Sequence, residues 1–179
     1  EKLYLELIPT IMNSSSKKGK SLNLKEQADK VFGERKFNSF KTDIGIVALN
    51  YDTQQPLIFK SSINQAHGMK HSFEPGFGCT ISEAVQCSSS AYPIFDKKEI
   101  ETSNQGKITT IDGGFIANNA TLFALIDANK AFDKSEDEIR LLNVGVGKFI
   151  EKSMGFKSKV LKWILPIKFV ERVRSANTN

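Results

Sequence analysis

The chain has 179 residues, of which 40% are hydrophobic and 25% charged, and its formal net charge is +5. This composition is typical of one globular domain and excludes the disordered and fibrous classes. The two cysteines, Cys79 and Cys87, are too few for a disulfide framework and are typical of reduced thiols in the cytosol. No apolar run approaches the roughly 18 residues of a spanning helix.

The first 60 residues predict a loop, a helix and two strands. Residues 13–20 lack apolar periodicity and predict a surface loop. An amphipathic helix follows, opened by Asn23 and closed by Gly33. Its apolar face consists of Leu24, Ala28, Val31 and Phe32. The run 44–49 is apolar without alternation, as in a strand buried on both faces, and 56–59 is its partner strand.

The next segments repeat this alternation of strand and helix. Residues 80–83 form a capping box at the start of a short helix. Residues 107–111 alternate as a strand does and lead into a glycine turn, after which Asn119 caps another helix. The buried side of that helix is predicted to hold Leu122, Leu125, Ile126 and Ala128. A last buried strand, 141–146, ends in a glycine loop. The alternation predicts an α/β fold with a largely parallel sheet.

Residues 157–174 carry the whole excess charge of the chain, because six lysines and arginines face a single glutamate there. Apolar residues recur at helical spacing around Trp163, and Pro166 breaks or kinks any helix. Two interpretations stay open. The segment is either an interfacial helix on anionic lipid or an amphipathic helix packed on its own domain.

Two weaker patterns resemble ligand sites but lack the spacing that such sites need. His67 and His71, with the two cysteines, match no zinc spacing, so no metal is predicted. Gly145 to Lys148 lacks the length and the hydroxyl of a phosphate-binding loop. A nucleic-acid polymer is not predicted as a partner either, because the basic excess lies in one tail segment without an aromatic-basic platform.

The most informative segment is Asp112-Gly113-Gly114, followed by Asn118-Asn119 and a helix. An aspartate at the end of a sheet strand lies where open α/β sheets place their ligand sites. Glycines in such a turn take positive φ or let another backbone approach closely. Taken alone, however, Asp-Gly-Gly predicts only a turn.

Five ordered blocks extend this segment into a pattern. They are Thr42–Ala48, Pro56–Phe59, Ile81–Pro93, Ile111–Thr121 and Leu142–Gly147. Their order resembles the second half of patatin-like phospholipases. The amino-acid sequence of segments 45–60, 66–68 and 76–78 is most similar to the patatin-like effectors of bacterial anti-phage systems, which a cyclic dinucleotide activates.

The resemblance implies a three-layer α/β/α sandwich with a mostly parallel central sheet. Residues 1–179 would be the C-terminal part of that single domain, taken from a longer chain, since Glu1 is not an initiator Met. In the family an aspartate of this motif completes a Ser-Asp dyad, so Asp112 takes the role of proton acceptor. The turn and its support would then be Gly113, Gly114, Asn118, Asn119, Gly145 and Gly147.

The chain departs from the family in two respects. It has no serine with glycine at both the −2 and the +2 positions, and no Gly-Gly-Gly run for an oxyanion hole. Either these elements precede the chain, or the protein is a catalytically inactive binding or regulatory module. The active alternative implies membrane phospholipid as substrate, a cyclic dinucleotide as activator, no cofactor, and action in the cytoplasm at the inner face of the membrane. The sequence leaves a homo-oligomer open.

Overall fold

The computed structural model describes residues 2–144. Four helices lie in this range, namely α1 (Lys2–Met12), α2 (Lys17–Phe32), α3 (Ile81–Ser89) and α4 (Thr121–Ile126). A π-helical turn, Asp127–Ala131, continues α4. The four described strands are β1 (Gly45–Asn50), β2 (Gln55–Lys60), β3 (Lys98–Thr102) and β4 (Gly106–Asp112). Among these helices none is both long and apolar enough to cross a bilayer.

The strands form one sheet in the order β2-β1-β4-β3, with every neighbouring pair antiparallel. Residues 51–54 join β1 to β2, and residues 103–105 join β3 to β4. Such short connections produce hairpins, because a parallel pair needs a crossover of about a dozen residues or more. The predicted α/β class is confirmed. The predicted mostly parallel arrangement does not occur among the described strands, because the alternation of strand and helix segments along a sequence does not reveal which strands pair as hairpins.

Strand β1 is the structural centre of the sheet. Val47 and Ala48 point to opposite faces and are both buried, as its non-alternating sequence predicted. Helix α3 covers the face of Ala48, over β1 and β4. The core on that side consists of Phe37, Ala48, Leu57, Phe59, Cys79, Ile81, Ala84, Cys87, Ile100 and Ile108. The opposite face borders a cavity beneath α4.

Helix α2 begins earlier than its sequence indicated. The predicted loop 13–20 is wrong from residue 17 onward, because the Ser16 hydroxyl accepts the Gly19 N–H at 3.0 Å and caps the helix there. Asn23, the predicted cap, lies inside the helix and donates to the carbonyl of Thr10 at 3.2 Å. The predicted end at Gly33 is confirmed. Leu24 and Ala28 are buried as expected.

Helix α3 starts at the predicted capping box. The Thr80 hydroxyl accepts the Glu83 N–H at 3.1 Å, and the Glu83 carboxylate accepts the Thr80 N–H at 2.8 Å. Two of the unpaired N–H groups at the helix start are thereby satisfied.

The last described elements differ most from the sequence predictions. On α4, Leu122 and Ile126 are exposed rather than buried. Residues 141–144 form no strand, and Leu142 is 86% exposed. A strand needs a partner for its backbone N–H and C=O groups, and no strand of residues 2–144 pairs with this segment. The rest of the predicted strand, with Gly145 and Gly147, and the basic segment 157–174 lie outside the described residues.

Candidate active site

Asp112 is the last residue of β4, one of the two central strands of the sheet. Its backbone is held from two directions. It pairs with the buried Ala48 of β1, and its N–H donates to the carbonyl of Ser90 at 3.0 Å, just beyond the end of α3. The carboxylate is half-buried, and its Oδ1 accepts the N–H of Gly114 at 2.6 Å. Asp112 is therefore an oriented carboxylate that starts the 3-10 turn Gly113–Phe115.

Close approach to the backbone of β1 requires a glycine at position 113, whereas Gly114 lies against side-chain atoms. A Cβ on Gly113 would lie 2.1 Å from the carbonyl oxygen of Val47. A Cβ on Gly114 would lie 2.6 Å from Oδ1 of Asn118 and 3.0 Å from Oδ1 of Asp112. Positive φ, the other use that the sequence suggested, does not apply, because neither residue is among the described glycines with φ > 0. The turn thus packs tightly against β1.

The two asparagines behind the turn have different positions. Oδ1 of Asn118 lies beside Gly114, and so on the same side of the turn as the Asp112 carboxylate. Asn119 instead accepts the Thr121 N–H at 3.0 Å, although the residue at the N-cap of α4 is Ala120. Asn118 is therefore the better placed of the two to contact a ligand at Asp112.

Sequence reasoning missed a row of buried polar side chains on α3 that ends at Asp112. The Ser82 hydroxyl donates to Asp29 at 2.6 Å, and Gln86 Nε2 donates to Ser82 at 3.0 Å. One turn further, the Ser90 hydroxyl donates to the main-chain carbonyl of Gln86 at 2.6 Å. Polar residues spaced four apart on a helix lie on one face. That spacing was visible in the sequence, but nothing in it showed that this face is buried.

The row on α3 is bonded at its start to an ionised aspartate of α2, Asp29. A hydrogen bond from Lys25, followed by one from Ser82, holds the pKa of Asp29 below its usual value. A buried polar row is stable only when each group has a partner. Ser82, Gln86 and Ser90 each have such a partner, and the partner of the Ser90 hydroxyl is the main-chain carbonyl of Gln86.

A second polar cluster surrounds Asp127, which is only 8% exposed. Its carboxylate receives Lys60 Nζ at 2.6 Å and Gln65 Nε2 at 2.9 Å, and His67 Nε2 lies 2.6 Å away. Burial raises the pKa of Asp127, but these hydrogen bonds outweigh it and leave the pKa below its usual value. The cluster joins the end of α4 to strand β2.

The metal-ligand candidates of the sequence do not converge. His67 contacts Asp127, whereas Cys79 and Cys87 are buried free thiols. Burial raises the pKa of Cys79 to about 11 and that of Cys87 to about 12, so both are protonated at neutral pH. Across residues 2–144, no group of three or more His, Cys, Asp or Glu side chains is placed to hold a metal ion.

A cavity of about 160 Å³ lies between α4 and the sheet. Its walls include Val47, Ile58 and Phe123, with Asp127 at its polar end. Val47 belongs both to this cavity and to the contact with Gly113. Pockets for drug-sized ligands have volumes of about 300–1,000 Å³, so this one admits only a small group.

Comparison with known proteins supports the resemblance seen in the sequence. The chain is 42% identical over 176 residues to a cUMP-AMP-activated phospholipase of Escherichia coli. The alignment covers 98% of this chain and 55% of that protein, so the chain spans about half the length of its relative. No protein-family model matches the chain. We therefore identify the chain as a relative of the cUMP-AMP-activated phospholipase of Escherichia coli.

Proposed function

We propose that this chain supplies the general base, Asp112, to a lipid acyl hydrolase that cleaves phospholipid esters by a Ser-Asp dyad. The observation that carries the proposal is the oriented carboxylate at the end of β4, held by the Gly114 N–H at 2.6 Å. A general base must be positioned before its pKa matters, and Asp112 is fixed by β1, by Ser90 and by its own turn.

The serine of the proposed dyad lies outside this chain, in the remainder of a longer protein. In the reaction, the serine hydroxyl attacks the ester carbonyl while Asp112 accepts its proton. The proton then passes to the leaving alcohol, and water releases the fatty acid from the acyl-enzyme. In the same proposal, the remainder of the protein adds the strands that complete a three-layer α/β/α sandwich with a mostly parallel sheet.

The relative supplies the proposal for control of the enzyme. Its name states that cUMP-AMP activates it. We extend this to the present protein, with a cyclic dinucleotide as activator and membrane phospholipid as substrate. The protein then acts as an anti-phage effector in the cytoplasm, degrading the membrane from its inner face. The patatin-like motifs of the sequence support this role.

The test is fatty-acid release by the full-length protein from phospholipid vesicles, with and without cyclic UMP-AMP. Wild type should release fatty acid when the nucleotide is present. Asp112→Asn keeps the shape of the turn but accepts no proton, so it should lower turnover by about 10² to 10⁴-fold. Normal turnover by a folded Asp112→Asn protein would end the dyad assignment. Absence of hydrolysis in wild type would favour a regulatory module instead.

A further inference from the structure

Two tyrosines and two lysines meet on the surface near the end of α3. Lys97 Nζ lies 3.3 Å from the ring centre of Tyr51 and 5.4 Å from that of Tyr92. Lys17 Nζ lies 5.3 Å from the Tyr92 ring centre. Tyr92 is 36% exposed. We call these four residues the tyrosine-lysine platform.

The platform is built on fixed parts of the fold. Tyr51 directly follows β1, and its N–H donates to the Thr109 carbonyl at 2.8 Å. Tyr92 extends from the loop after α3, which covers a small core of Leu24, Ala91 and Phe95. The far end of this loop is tied to α2 by a hydrogen bond of 2.9 Å from the Asp96 N–H to the Ser21 hydroxyl. Both rings are therefore positioned before any ligand binds.

We propose that the tyrosine-lysine platform binds the activating cyclic dinucleotide, an inference that rests on the proposed function. Such a ligand has two bases and two singly charged phosphodiesters. Aromatic side chains stack with bases of any kind, and lysines provide the positive charge that phosphates require. The platform offers both groups within a few ångströms of each other. The cavity beneath α4, at about 160 Å³, is too small for this ligand.

The charges of the platform fit a movable role for its lysines. Lys17 lies 3.8 Å from Asp96, and both side chains are about half exposed, so this ion pair is weak. Lys97 rests on the Tyr51 ring, an attraction that is also small at an exposed site. Either lysine can turn to a phosphate while a base takes its place on a ring.

The platform is linked to Asp112 through a short path. Tyr92 lies two residues after Ser90, whose carbonyl accepts the Asp112 N–H at 3.0 Å. A ligand that shifts the Tyr92 loop from this position also shifts the Ser90 carbonyl, which holds the backbone of Asp112. A ligand changes the balance between two positions of this loop only if it binds one position more tightly than the other. A ligand on Tyr92 would act two residues along the chain from Ser90, the residue that accepts the Asp112 N–H.

The test is calorimetric binding of cyclic UMP-AMP to full-length protein that carries Asp112→Asn, so that the affinity is measured without hydrolysis. Tyr92→Ala and Lys97→Glu should each raise Kd by about 10 to 100-fold, the range expected from lost stacking or a reversed charge. Tyr92→Phe keeps the ring face and should bind like the parent protein. Lys41→Glu is the matched charge control. Lys41 is exposed and precedes the start of β1, whereas Tyr51 of the platform follows the end of that strand.

The melting temperature of each variant shows whether it is folded, and Lys97→Gln replaces Lys97→Glu if that variant unfolds. Unchanged affinity in folded Tyr92→Ala and Lys97→Glu proteins would overturn the platform, as would equal losses in Lys41→Glu. Fatty-acid release that needs no nucleotide would also overturn it, while leaving the hydrolase intact. If the platform variants bind the nucleotide more weakly and the wild-type protein, with Asp112 intact, releases no fatty acid, the platform is supported and only the hydrolase is overturned.

Discussion

Gly113→Ala should damage the site through backbone packing alone. The added Cβ would lie 2.1 Å from the Val47 carbonyl oxygen and 2.7 Å from its carbonyl carbon. Contacts of this kind are normally above 3 Å, so the turn or β1 must move by about 1 Å. Overpacking of this size destabilises proteins by about 1–3 kcal/mol. A shift of about 1 Å at a catalytic group lowers turnover by about 10²-fold.

The assay combines denaturant unfolding with fatty-acid release by the full-length protein. Gly45→Ala is the matched control, because its Cβ meets only the Ile58 side chain, at an ordinary 3.5 Å. That variant should keep wild-type stability and turnover. If Gly113→Ala also retained both, the close approach between the turn and β1 would not constrain the site, and the reasoning would fail.

Three further predictions concern the polar groups around the sheet. Asp127→Asn should lower the free energy of unfolding by about 1.5–3 kcal/mol, measured at pH 7, because Lys60 loses a charged hydrogen-bond partner. The pKa of Asp127 is lower in the folded protein than its usual value of about 4. The stability that this carboxylate contributes is therefore complete above about pH 4 and is lost as the pH falls toward the folded pKa. The free energy of unfolding of Asp127→Asn should accordingly fall less steeply with pH in this acidic range. Cys79 and Cys87 should resist a thiol reagent at pH 8 until the protein is unfolded, because burial keeps both protonated, and fast labelling of the native protein would contradict this. Ser90→Ala should reduce turnover more than Thr80→Ala at equal loss of melting temperature, because it removes the hydroxyl that donates to the main-chain carbonyl of Gln86 and positions Ser90, whose own carbonyl accepts the Asp112 N–H.

Local sequence patterns predicted the structure correctly where the interactions that determine it lie within one short segment. The capping box at Thr80 is an example, since its two hydrogen bonds join residues three apart. The central strand β1 is another, because a run of apolar residues without alternation is favourable only between two covered faces. Asp112 was likewise identified from its own motif, and its role in catalysis stays a prediction.

The same reasoning failed where contacts with a distant segment determine the burial or the pairing of a residue. Leu122 and Ile126 have helical spacing, yet both are exposed, since the sequence cannot show what lies against a helix. Residues 141–144 have a strand-like composition but no strand of the described range pairs with them. Asn23 looked like a cap, whereas Ser16 performs that function and Asn23 ties α2 to the end of α1.

The sequence by itself determined the α/β class, the position of β1 and of α3, and the aspartate in the turn after β4, because each depends on periodicity or on contacts between near neighbours. Only the tertiary structure decided the antiparallel pairing, the burial of the polar row Ser82, Gln86 and Ser90 with its hydrogen bond to Asp29, and the packing of Gly113 on Val47. The β1–β4 pairing, the hydrogen bond from Ser82 to Asp29 and the contact of Gly113 with Val47 join residues that are tens of positions apart. Their free energies arise from burial and from shared hydrogen bonds, which exist only once the sheet and α3 have come together.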